Sequence, residues 1–539
     1  MTLRTRTDAL LIFGFCAFLF FYGAGQFGLI GADEPRYAQV AREMLDRHDW
    51  ITPVLNGRPW LEKPPLYYWQ EMLAYSALGV RDVAARVPAA LDATLLVIAV
   101  YVFFRRFRRG VEVDAALITA SGAGVIGYAR AASMDMALAA SFAIGMLAWW
   151  AWRESGRRIY LAAFYLCMAL GMLAKGPVAP FLAAVIIVLF AMAAREWRLM
   201  VRTLWLPGIV LFCAIALPWY VAVEMRNPQF FREFILEHNL ARFSTDLYHH
   251  RQPFWYYLPV TLLALVPWTV VVLAACVASV RAWWAERKSV SAEPDFELQF
   301  NLFACIWLIA PVLFFSISQS KLPGYILPAV PAGAVLLAEY LRQRLERDES
   351  VTKWIVVLHA MAAAAPIVPA LLIGYVVTEH RLPAGRPMLI ALAIAFVLCA
   401  AVALTLLRRA GLRMLRFVTL IPVVLAVAAV MKLGATAIDQ TLSARPLAVE
   451  LVAVETRELP VAVCGVSREL EYGLMFYRNQ AITRCEFAPL PAGEHLVVAP
   501  PMFRYNIADK APGRRVMFLG HYAPQDVDYY WVAARGAQR

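Results

Sequence analysis

Long apolar segments, separated by short basic connections, constrain this chain more than any other feature of its sequence. A helix that spans a bilayer needs roughly 20 apolar residues. Thirteen segments approach or reach that length: 8–30, 87–104, 112–130, 136–152, 159–174, 177–194, 204–223, 256–280, 301–318, 323–341, 354–377, 387–407 and 417–434. The pattern predicts a polytopic α-helical membrane protein with about 13 transmembrane helices. Its first segment is interpreted as a retained anchor, because no convincing cleavage site follows it.

The composition excludes an ordinary soluble protein. Of the 539 residues, 61% are hydrophobic and 17% are charged, whereas soluble domains are about 45–50% apolar and about 25% charged. The net charge of +12 would suggest nucleic acid in a soluble protein, but most of the excess lies in short loops between apolar segments. There it sets membrane orientation and contacts anionic lipid, so no nucleic-acid partner is predicted.

The loops divide between two faces of the membrane. The arginine-rich loops mark the cytoplasm by the positive-inside rule, and they lie at 105–109, 153–158, 195–202, 281–288, 342–344 and 408–416. The other face is therefore extracytoplasmic. It receives nearly all the chemically interesting residues, at 31–86, 130–135, 175–176, 224–255, 318–324, 379–386 and after about 432.

The composition changes after Gly434. We predict a transmembrane domain over 1–434, whose first periplasmic loop (31–86) carries juxtamembrane helices, and a small soluble α/β domain over 435–539. In the second domain a helix is predicted at 443–459 and strands at 461–466, 473–477, 496–499, 516–519 and 529–533. An extracytoplasmic location would allow a Cys464–Cys485 disulfide; the alternative is two free buried cysteines.

Acids and cations are concentrated on the predicted outer face. Asp33 is either the N-cap of a helix or an acceptor-side carboxylate that Arg36 keeps ionised. Lys63, held by two following prolines, suits a lipid phosphate. Asp135 is either a cap or a second acid. Further cations for phosphate are Lys175, Arg251 and Lys321, and His and carboxylate groups in 224–255 suggest a divalent metal or a hydrogen-bonded lid.

An ordered set of motifs resembles the bacterial lipid A aminoarabinose transferases (ArnT), which belong to the polyprenyl-phosphate-sugar-dependent integral membrane glycosyltransferases of GT-C type. The motifs are DEPRYAQVAREML at 33–45, LEKPP at 61–65, AKG at 174–176, EHNLARF at 237–243, HRQPFWYY at 250–257 and SKLPGYIL at 320–327. They cover the chain from about 10 to 327. Related proteins of unknown donor share DE-x-RY and EKP.

The resemblance implies a monomeric inner-membrane enzyme with a periplasmic active site. Such an enzyme moves 4-amino-4-deoxy-L-arabinose from undecaprenyl phosphate to a lipid A phosphate, with inversion at the anomeric carbon, and so confers polymyxin resistance. It implies a catalytic Asp33, with Asp135 as the second acid. The implied donor-binding residues are Arg36, Tyr37, Lys63, Lys175, Arg242, Arg251, Lys321 and Tyr325. Positions for a divalent Zn or Mg ion are Glu62, His238 and His250.

Two other functions fit the same sequence. One is a related transferase with another sugar, or with a protein or hydroxyl acceptor. The other is a lipid transporter, which typically places ionisable groups near the bilayer midplane and often has inverted repeats. Asp92, His359 and Lys432 are the main ionisable residues within the predicted spans, Asp92 and Lys432 lie near the outer ends, and no repeat is evident.

Overall fold

The computed structural model describes residues 3–234, 252–288, 295–349, 351–408 and 411–535. Among these residues, ten helices are long and apolar enough to cross a membrane, and two shorter apolar helices are Val178–Ala193 and Phe254–Ala264. The chain is therefore a multi-span membrane protein. The count of about 13 spans stays a prediction.

Eleven α-helices lie in the described residues before 235, and two of them, α2 and α3, belong to the first long loop. They are α1 (Leu3–Cys16), α2 (Asp33–Asp46), α3 (Leu66–Leu78), α4 (Asp82–Phe107), α5 (Glu112–Ser121), α6 (Ala123–Ala129), α7 (Met134–Ser155), α8 (Arg158–Lys175), α9 (Val178–Ala193), α10 (Arg198–Thr203) and α11 (Leu206–Arg226). The helices that follow are α12 (Tyr257–Ala264), α13 (Thr269–Lys288), α14 (Phe296–Ile317), α15 (Val330–Glu346), α16 (Lys353–Ala364), α17 (Ile367–Leu371), α18 (Ile373–Glu379), α19 (Arg386–Leu406) and α20 (Gly411–Ala429).

Prolines divide two of the predicted spans into shorter helices. The predicted span 256–280 consists of α12 and α13, with Pro267 in the connection. The predicted span 354–377 consists of α16, α17 and α18, and Pro366 precedes α17. Proline lacks the backbone N–H that a continuing helix needs, so these breaks follow from the sequence.

The first long loop contains two helices, as predicted. Between α2 and α3 lies a two-stranded hairpin, β1 (Val54–Leu55) and β2 (Arg58–Pro59). Asn56 and Gly57 both have positive φ values in its turn, the backbone conformation that an Asn-Gly hairpin turn adopts. The loop is therefore an ordered segment, built from α2, the hairpin and α3, that packs against the helical bundle.

The central helix α7 is fixed by aromatic packing. Trp149 and Trp150 are fully buried, and their rings lie 5.4 and 5.0 Å from that of Phe303 on α14. Aromatic pairs of this kind contribute about 0.5–1.5 kcal/mol beyond burial alone. Because Asp135 lies in the first turn of the same helix, this packing also sets its position.

The C-terminal region forms a five-stranded mixed sheet with flanking helices. The sheet has the order β4-β3-β5-β7-β6, with β3 parallel to β4 and β5, and β7 antiparallel to β5 and β6. The strands are β3 (Val461–Val463), β4 (Thr483–Arg484), β5 (His495–Ala499), β6 (Val516–Tyr522) and β7 (Val527–Val532). The helices are α21 (Ala435–Leu442), α22 (Arg445–Val454), α23 (Arg468–Arg478) and α24 (Arg504–Lys510). This architecture confirms the small α/β region.

One predicted strand is wrong. Residues 473–477 lie inside α23, which Ser467 caps by accepting a hydrogen bond from the Leu470 amide. Leu470 and Leu474 are buried on one face, so the helical period governs this segment.

Cys464 and Cys485 form a disulfide in the same domain.

The C-terminal domain is attached to the first loop by several polar contacts. The Tyr477 hydroxyl donates to Asp82 at 2.6 Å and accepts from the Leu29 amide at 2.6 Å. The Arg445 guanidinium also donates to Asp82, at 2.8 Å. Helix α23 packs against α2, so the first long loop lies between the helical bundle and the sheet domain.

Candidate active site

The first turn of α2 presents a partly exposed carboxylate. Helix α2 begins at Asp33 and its N-cap is Ala32, so the interpretation of Asp33 as an N-cap is wrong. An oxygen of Asp33 accepts a 2.5 Å hydrogen bond from the Arg36 guanidinium, and the exposed side-chain fractions are 53% for Asp33 and 13% for Arg36. Asp33 is thus oriented by a cation while it remains accessible to a substrate.

Arg36 is enclosed by aromatic rings. Its guanidinium carbon lies 5.1 Å from the ring centre of Tyr37, 5.4 Å from that of Trp60 and 5.7 Å from that of Tyr472. Burial alone would lower the pKa of Arg36, but Tyr37, Asp33 and Glu62 outweigh it and raise that pKa above its usual value. The arginine therefore stays charged.

A second ion pair connects α7 and α8. The Lys175 ammonium donates to one oxygen of Asp135, and Ser133 donates to the other at 2.6 Å. Ser133, not Asp135, is the N-cap of α7, so the capping interpretation of Asp135 is also wrong. Lys63 lies within electrostatic range of the same carboxylate.

The turn that precedes α15 completes this half of the site. A Cβ on Gly324 would lie 2.6 Å from an Asp135 oxygen and 2.9 Å from the Tyr128 hydroxyl, so only glycine allows the turn to approach so closely. The next residue, Tyr325, places its ring centre 5.2 Å from the Lys175 nitrogen. Tyr257 fixes the turn, because its hydroxyl donates to the Leu322 carbonyl at 3.1 Å.

The two halves belong to one region of the molecule. The Tyr37 and Tyr128 hydroxyls are each within electrostatic range of both Asp33 and Asp135. Burial, reinforced by Asp33, raises the pKa of Tyr37, so its phenol remains a hydrogen-bond donor at neutral pH. The structure therefore brings together the two predicted acids, and the cations Arg36, Lys63 and Lys175, from separate segments of the chain.

The remaining predicted residues divide into two groups. Lys321 is buried, and its ammonium donates to the Ser318 carbonyl within its own loop. Arg242, Arg251, His238 and His250 lie outside the described residues.

The predicted metal site is only partly within the described residues. Those residues contain no group of three or more His, Cys, Asp or Glu side chains that could hold a metal ion. Of the three positions predicted for the metal, Glu62 alone is described, and it lies within electrostatic range of Arg36. The part of the chain that is described does not by itself supply a ligand set.

Sequence reasoning missed the structural role of Glu34. Its carboxylate accepts a 2.7 Å hydrogen bond from Arg86, which also donates to the carbonyls of Ala24, Phe27 and Gly28. The other Glu34 oxygen accepts from the Ala132 amide at 3.3 Å. Glu34 thus connects α2 to the segment before it and to the turn before α7. Tyr128 was also missed, because it lies within an apolar segment.

Sequence comparisons with known proteins confirm the resemblance that the motifs suggest. Residues 8–232 match the family of dolichyl-phosphate-mannose-protein mannosyltransferases. The chain is 30% identical over 356 residues to an undecaprenyl phosphate-alpha-4-amino-4-deoxy-L-arabinose arabinosyl transferase of Pseudomonas aeruginosa, over 65% of this chain and 62% of the relative. It is 33% identical over 352 residues to the protein of that name from Aeromonas hydrophila, over 63% of this chain and 62% of the relative. The chain thus matches less than two thirds of the length of these relatives.

The fold is shared with solved structures over nearly the whole chain. ArnT from Cupriavidus metallidurans bound to undecaprenyl phosphate gives a TM-score of 0.76 at 23% identity, over 97% of both chains. The apo structure of that protein gives 0.76 at 22% identity, over 98% of both chains. These similarities confirm an ArnT-like fold.

Proposed function

We propose that this protein is a glycosyltransferase that moves 4-amino-4-deoxy-L-arabinose from undecaprenyl phosphate to a phosphate group of lipid A. The names of the relatives from Pseudomonas aeruginosa and Aeromonas hydrophila support this donor and this sugar. The modification adds a positively charged amine to an anionic lipid. It would therefore weaken the electrostatic attraction between lipid A and polymyxin or other cationic peptides.

The observation that carries the proposal is the juxtaposition of two acid–cation pairs. Asp33 with Arg36, and Asp135 with Lys175, come from separate segments but lie in one region. A transferase that moves a sugar from one phosphate-bearing lipid to another needs cations for both phosphates and carboxylates that orient the amine or the sugar. The partly exposed Asp33 and the nearby Lys63 supply both kinds of group at this region.

The proposed reaction conserves charge without a net proton transfer. An oxygen of the lipid A phosphate attacks the anomeric carbon as the bond from that carbon to the undecaprenyl phosphate oxygen breaks. A phosphate monoester dianion becomes a diester monoanion, and the donor diester becomes a monoester dianion. The negative charge that develops on the leaving phosphate is stabilised by Lys63 and Lys175, and such groups contribute about 2.7–4 kcal/mol each to transition-state stabilisation.

Asp33 has an orienting role in this reaction. A phosphate dianion needs no general base, so we propose that Asp33 holds the amine of the sugar or positions the acceptor. If the acceptor were a hydroxyl, its proton would have to leave. Asp33 would then act as a general base and raise the reaction rate on the order of 10²–10⁴-fold. The match to protein mannosyltransferases over residues 8–232 makes a hydroxyl acceptor the second candidate.

We also propose that a divalent metal, Zn or Mg, binds near the phosphates with Glu62 as one ligand. Glu62 lies within electrostatic range of Arg36, and the other proposed ligands are His238 and His250. When bound, the metal would supply positive charge to a phosphate oxygen. Metal analysis of purified protein, with Glu62→Gln as the comparison, tests this; equal metal content in both would contradict the proposal.

The proposed orientation places the active site and the sheet domain in the periplasm of a bacterial inner membrane. Two observations support it: the basic loops identify the opposite face as cytoplasmic, and the Cys464–Cys485 disulfide suits an oxidising compartment. We propose that the protein acts as a monomer.

The test is a transfer assay with purified full-length protein in liposomes. Radiolabelled undecaprenyl-phosphate aminoarabinose and lipid A are mixed, and the lipid A is examined by mass spectrometry for an added aminopentose. Transfer by the native protein, with loss in Asp33→Asn, is expected. Movement of the donor across the bilayer without transfer would indicate a transporter. Transfer to a hydroxyl acceptor in preference to lipid A would favour the second candidate.

A further inference from the structure

A cavity of about 680 Å³ lies at the end of the helical bundle that is remote from the candidate active site. Helix α15 connects the two regions: it begins at Val330, directly after the turn that contains Gly324 and Tyr325, and its last turn carries Arg344 and Leu345, which line the cavity. Seventeen helical residues span roughly 25 Å. The cavity is therefore a separate site, and its volume falls within the range of small-molecule pockets, about 300–1,000 Å³.

The lining carries an excess of positive charge. Four cationic side chains contribute to it, whereas two acidic side chains do. Arg344 forms an ion pair with Glu349 at 3.3 Å. Within the described part of the chain, Lys353, Arg408 and Arg413 make no ion pair and their residues are exposed. Lys353 lies at the start of α16, Arg408 just after α19 and Arg413 in α20, and all three line this cavity.

The other walls of the cavity are apolar. Val356 of α16, Leu406 of α19 and Leu415 of α20 are buried side chains that line it. The outer surfaces of the same helices are strongly apolar and exposed, as at Trp354 and Leu404. The cavity therefore combines a cationic opening with an apolar interior, next to a surface that would contact lipid chains.

We propose that this cavity binds an anionic phospholipid of the membrane. Lys353, Arg408 and Arg413 bind the lipid phosphate, and an acyl chain lies against the apolar walls. Phosphate binding by clustered cations is charge-assisted, and basic pockets between transmembrane helices recognise anionic headgroups on the cytoplasmic side. The positive-inside rule assigns this end of the bundle to the cytoplasm, the leaflet opposite to the proposed transfer reaction. The lipid is thus neither donor nor acceptor in that reaction.

The experiment compares lipid retention by three forms of the full-length protein. Native protein, the cavity variant Lys353→Gln/Arg408→Gln/Arg413→Gln, and the control variant Arg106→Gln/Arg109→Gln/Arg157→Gln are purified in detergent. The control removes three exposed arginines from the same predicted face, outside the cavity. Each form is titrated with phosphatidylglycerol, phosphatidylcholine or inorganic phosphate and observed by native mass spectrometry. Retention of a folded, monodisperse form is checked by gel filtration.

We expect the native protein and the control to bind phosphatidylglycerol in preference to phosphatidylcholine, and the cavity variant to bind phosphatidylglycerol at least tenfold more weakly. An equal loss in both variants would show a general charge effect and overturn the proposal. Binding of inorganic phosphate with an affinity equal to that of the lipid would identify a free anion site and also overturn it. If the triple variant is not folded, the single variant Arg413→Gln takes its place, with a threefold weakening as the expected result and unchanged binding as the contrary one.

Discussion

Glu34 and Arg86 form a buried ion pair, with 2.7 Å between the carboxylate oxygen and the guanidinium nitrogen. Asp33, the preceding residue, has a side chain that is 53% exposed and pairs with Arg36 instead. Two adjacent carboxylates at the start of α2 therefore have different environments. The buried one supports the fold, and the exposed one remains available for chemistry.

Removal of the buried cation should destabilise the first long loop. Arg86→Met leaves the Glu34 charge buried without its partner, which costs about 3–5 kcal/mol, and we expect a much reduced yield of monodisperse protein and a lower Tm. Asp33→Asn is the matched control: its Tm should change little, since exposed substitutions usually stay within about 0.5 kcal/mol, while transfer activity is lost. An Arg86→Met protein with the native Tm would refute the structural role.

The Asp135–Lys175 pair gives a second prediction, about coupling. Lys175→Met should lower transfer by about 10²–10³-fold, the loss typical of one preorganised charge, and should also lower the Tm because Asp135 is left buried. The double variant Asp135→Asn/Lys175→Met should recover the Tm but not the transfer rate. Additive losses of stability in the double variant would show that the two residues are not coupled.

The sequence predicted which residues lie on one face of the membrane domain, but not which of them pair. Hydropathy and loop charge placed Asp135 and Lys175 on one face, because these signals depend only on local composition. Their direct contact joins residues 40 positions apart and depends on how α7 packs on α8. Local patterns do not encode that packing. The same limit explains why Glu34, one residue from a predicted acid, was missed: its partner Arg86 lies on α4.

Short apolar runs were the other source of error. Residues 473–477 were predicted as a strand because a run of this length has no distinguishing period. The cap at Ser467 and the acidic first turn of α23, with Glu469 and Glu471, determine a helix instead. The strands at 496–499, 516–519 and 529–533 were predicted correctly, since β-branched and aromatic residues dominate them.

The Cys464–Cys485 disulfide closes a loop with a sequence separation of 21 residues. A loop of that size is worth about 3 kcal/mol in the chain-entropy account. We therefore expect Cys464→Ala/Cys485→Ala to lower the Tm of the protein and to increase proteolysis of the sheet domain. Cys213→Ala, which removes a free cysteine, is the control. Two additional thiols in denatured, unreduced native protein would contradict the disulfide.

Glu71 gives a prediction about pH and stability. This residue on α3 is fully buried, and its carboxylate oxygens have no hydrogen-bond partner among the described residues. Burial, with a smaller contribution from Glu34, raises its pKa well above 4.5. Between the unfolded and the folded pKa, Glu71 is therefore protonated in the folded protein and ionised in the unfolded chain. The stability gained is full below the unfolded pKa and is lost as the pH rises toward the folded value.

Glu71→Gln should remove this dependence. We expect its Tm to exceed that of the native protein by more at pH 8 than at pH 5, measured in the same detergent. Glu469→Gln, at an exposed position, is the control for the loss of a carboxylate. A Glu71→Gln difference that is constant with pH would show that Glu71 is ionised in the folded protein.

The contact between Tyr472 and Arg36 predicts that the sheet domain contributes to the active site. The Tyr472 ring centre lies 5.7 Å from the Arg36 guanidinium carbon, and such a cation–π contact is worth about 0.5–1 kcal/mol at an exposed site. Tyr472→Ala should therefore lower kcat/KM about two- to fivefold, because Arg36 would orient Asp33 less well. Tyr472→Phe retains the ring and should keep the native rate. Phe487→Ala, at a highly exposed position in the same domain, should have no effect. Equal losses in the Ala and Phe variants would assign the effect to the hydroxyl and contradict the role of the ring.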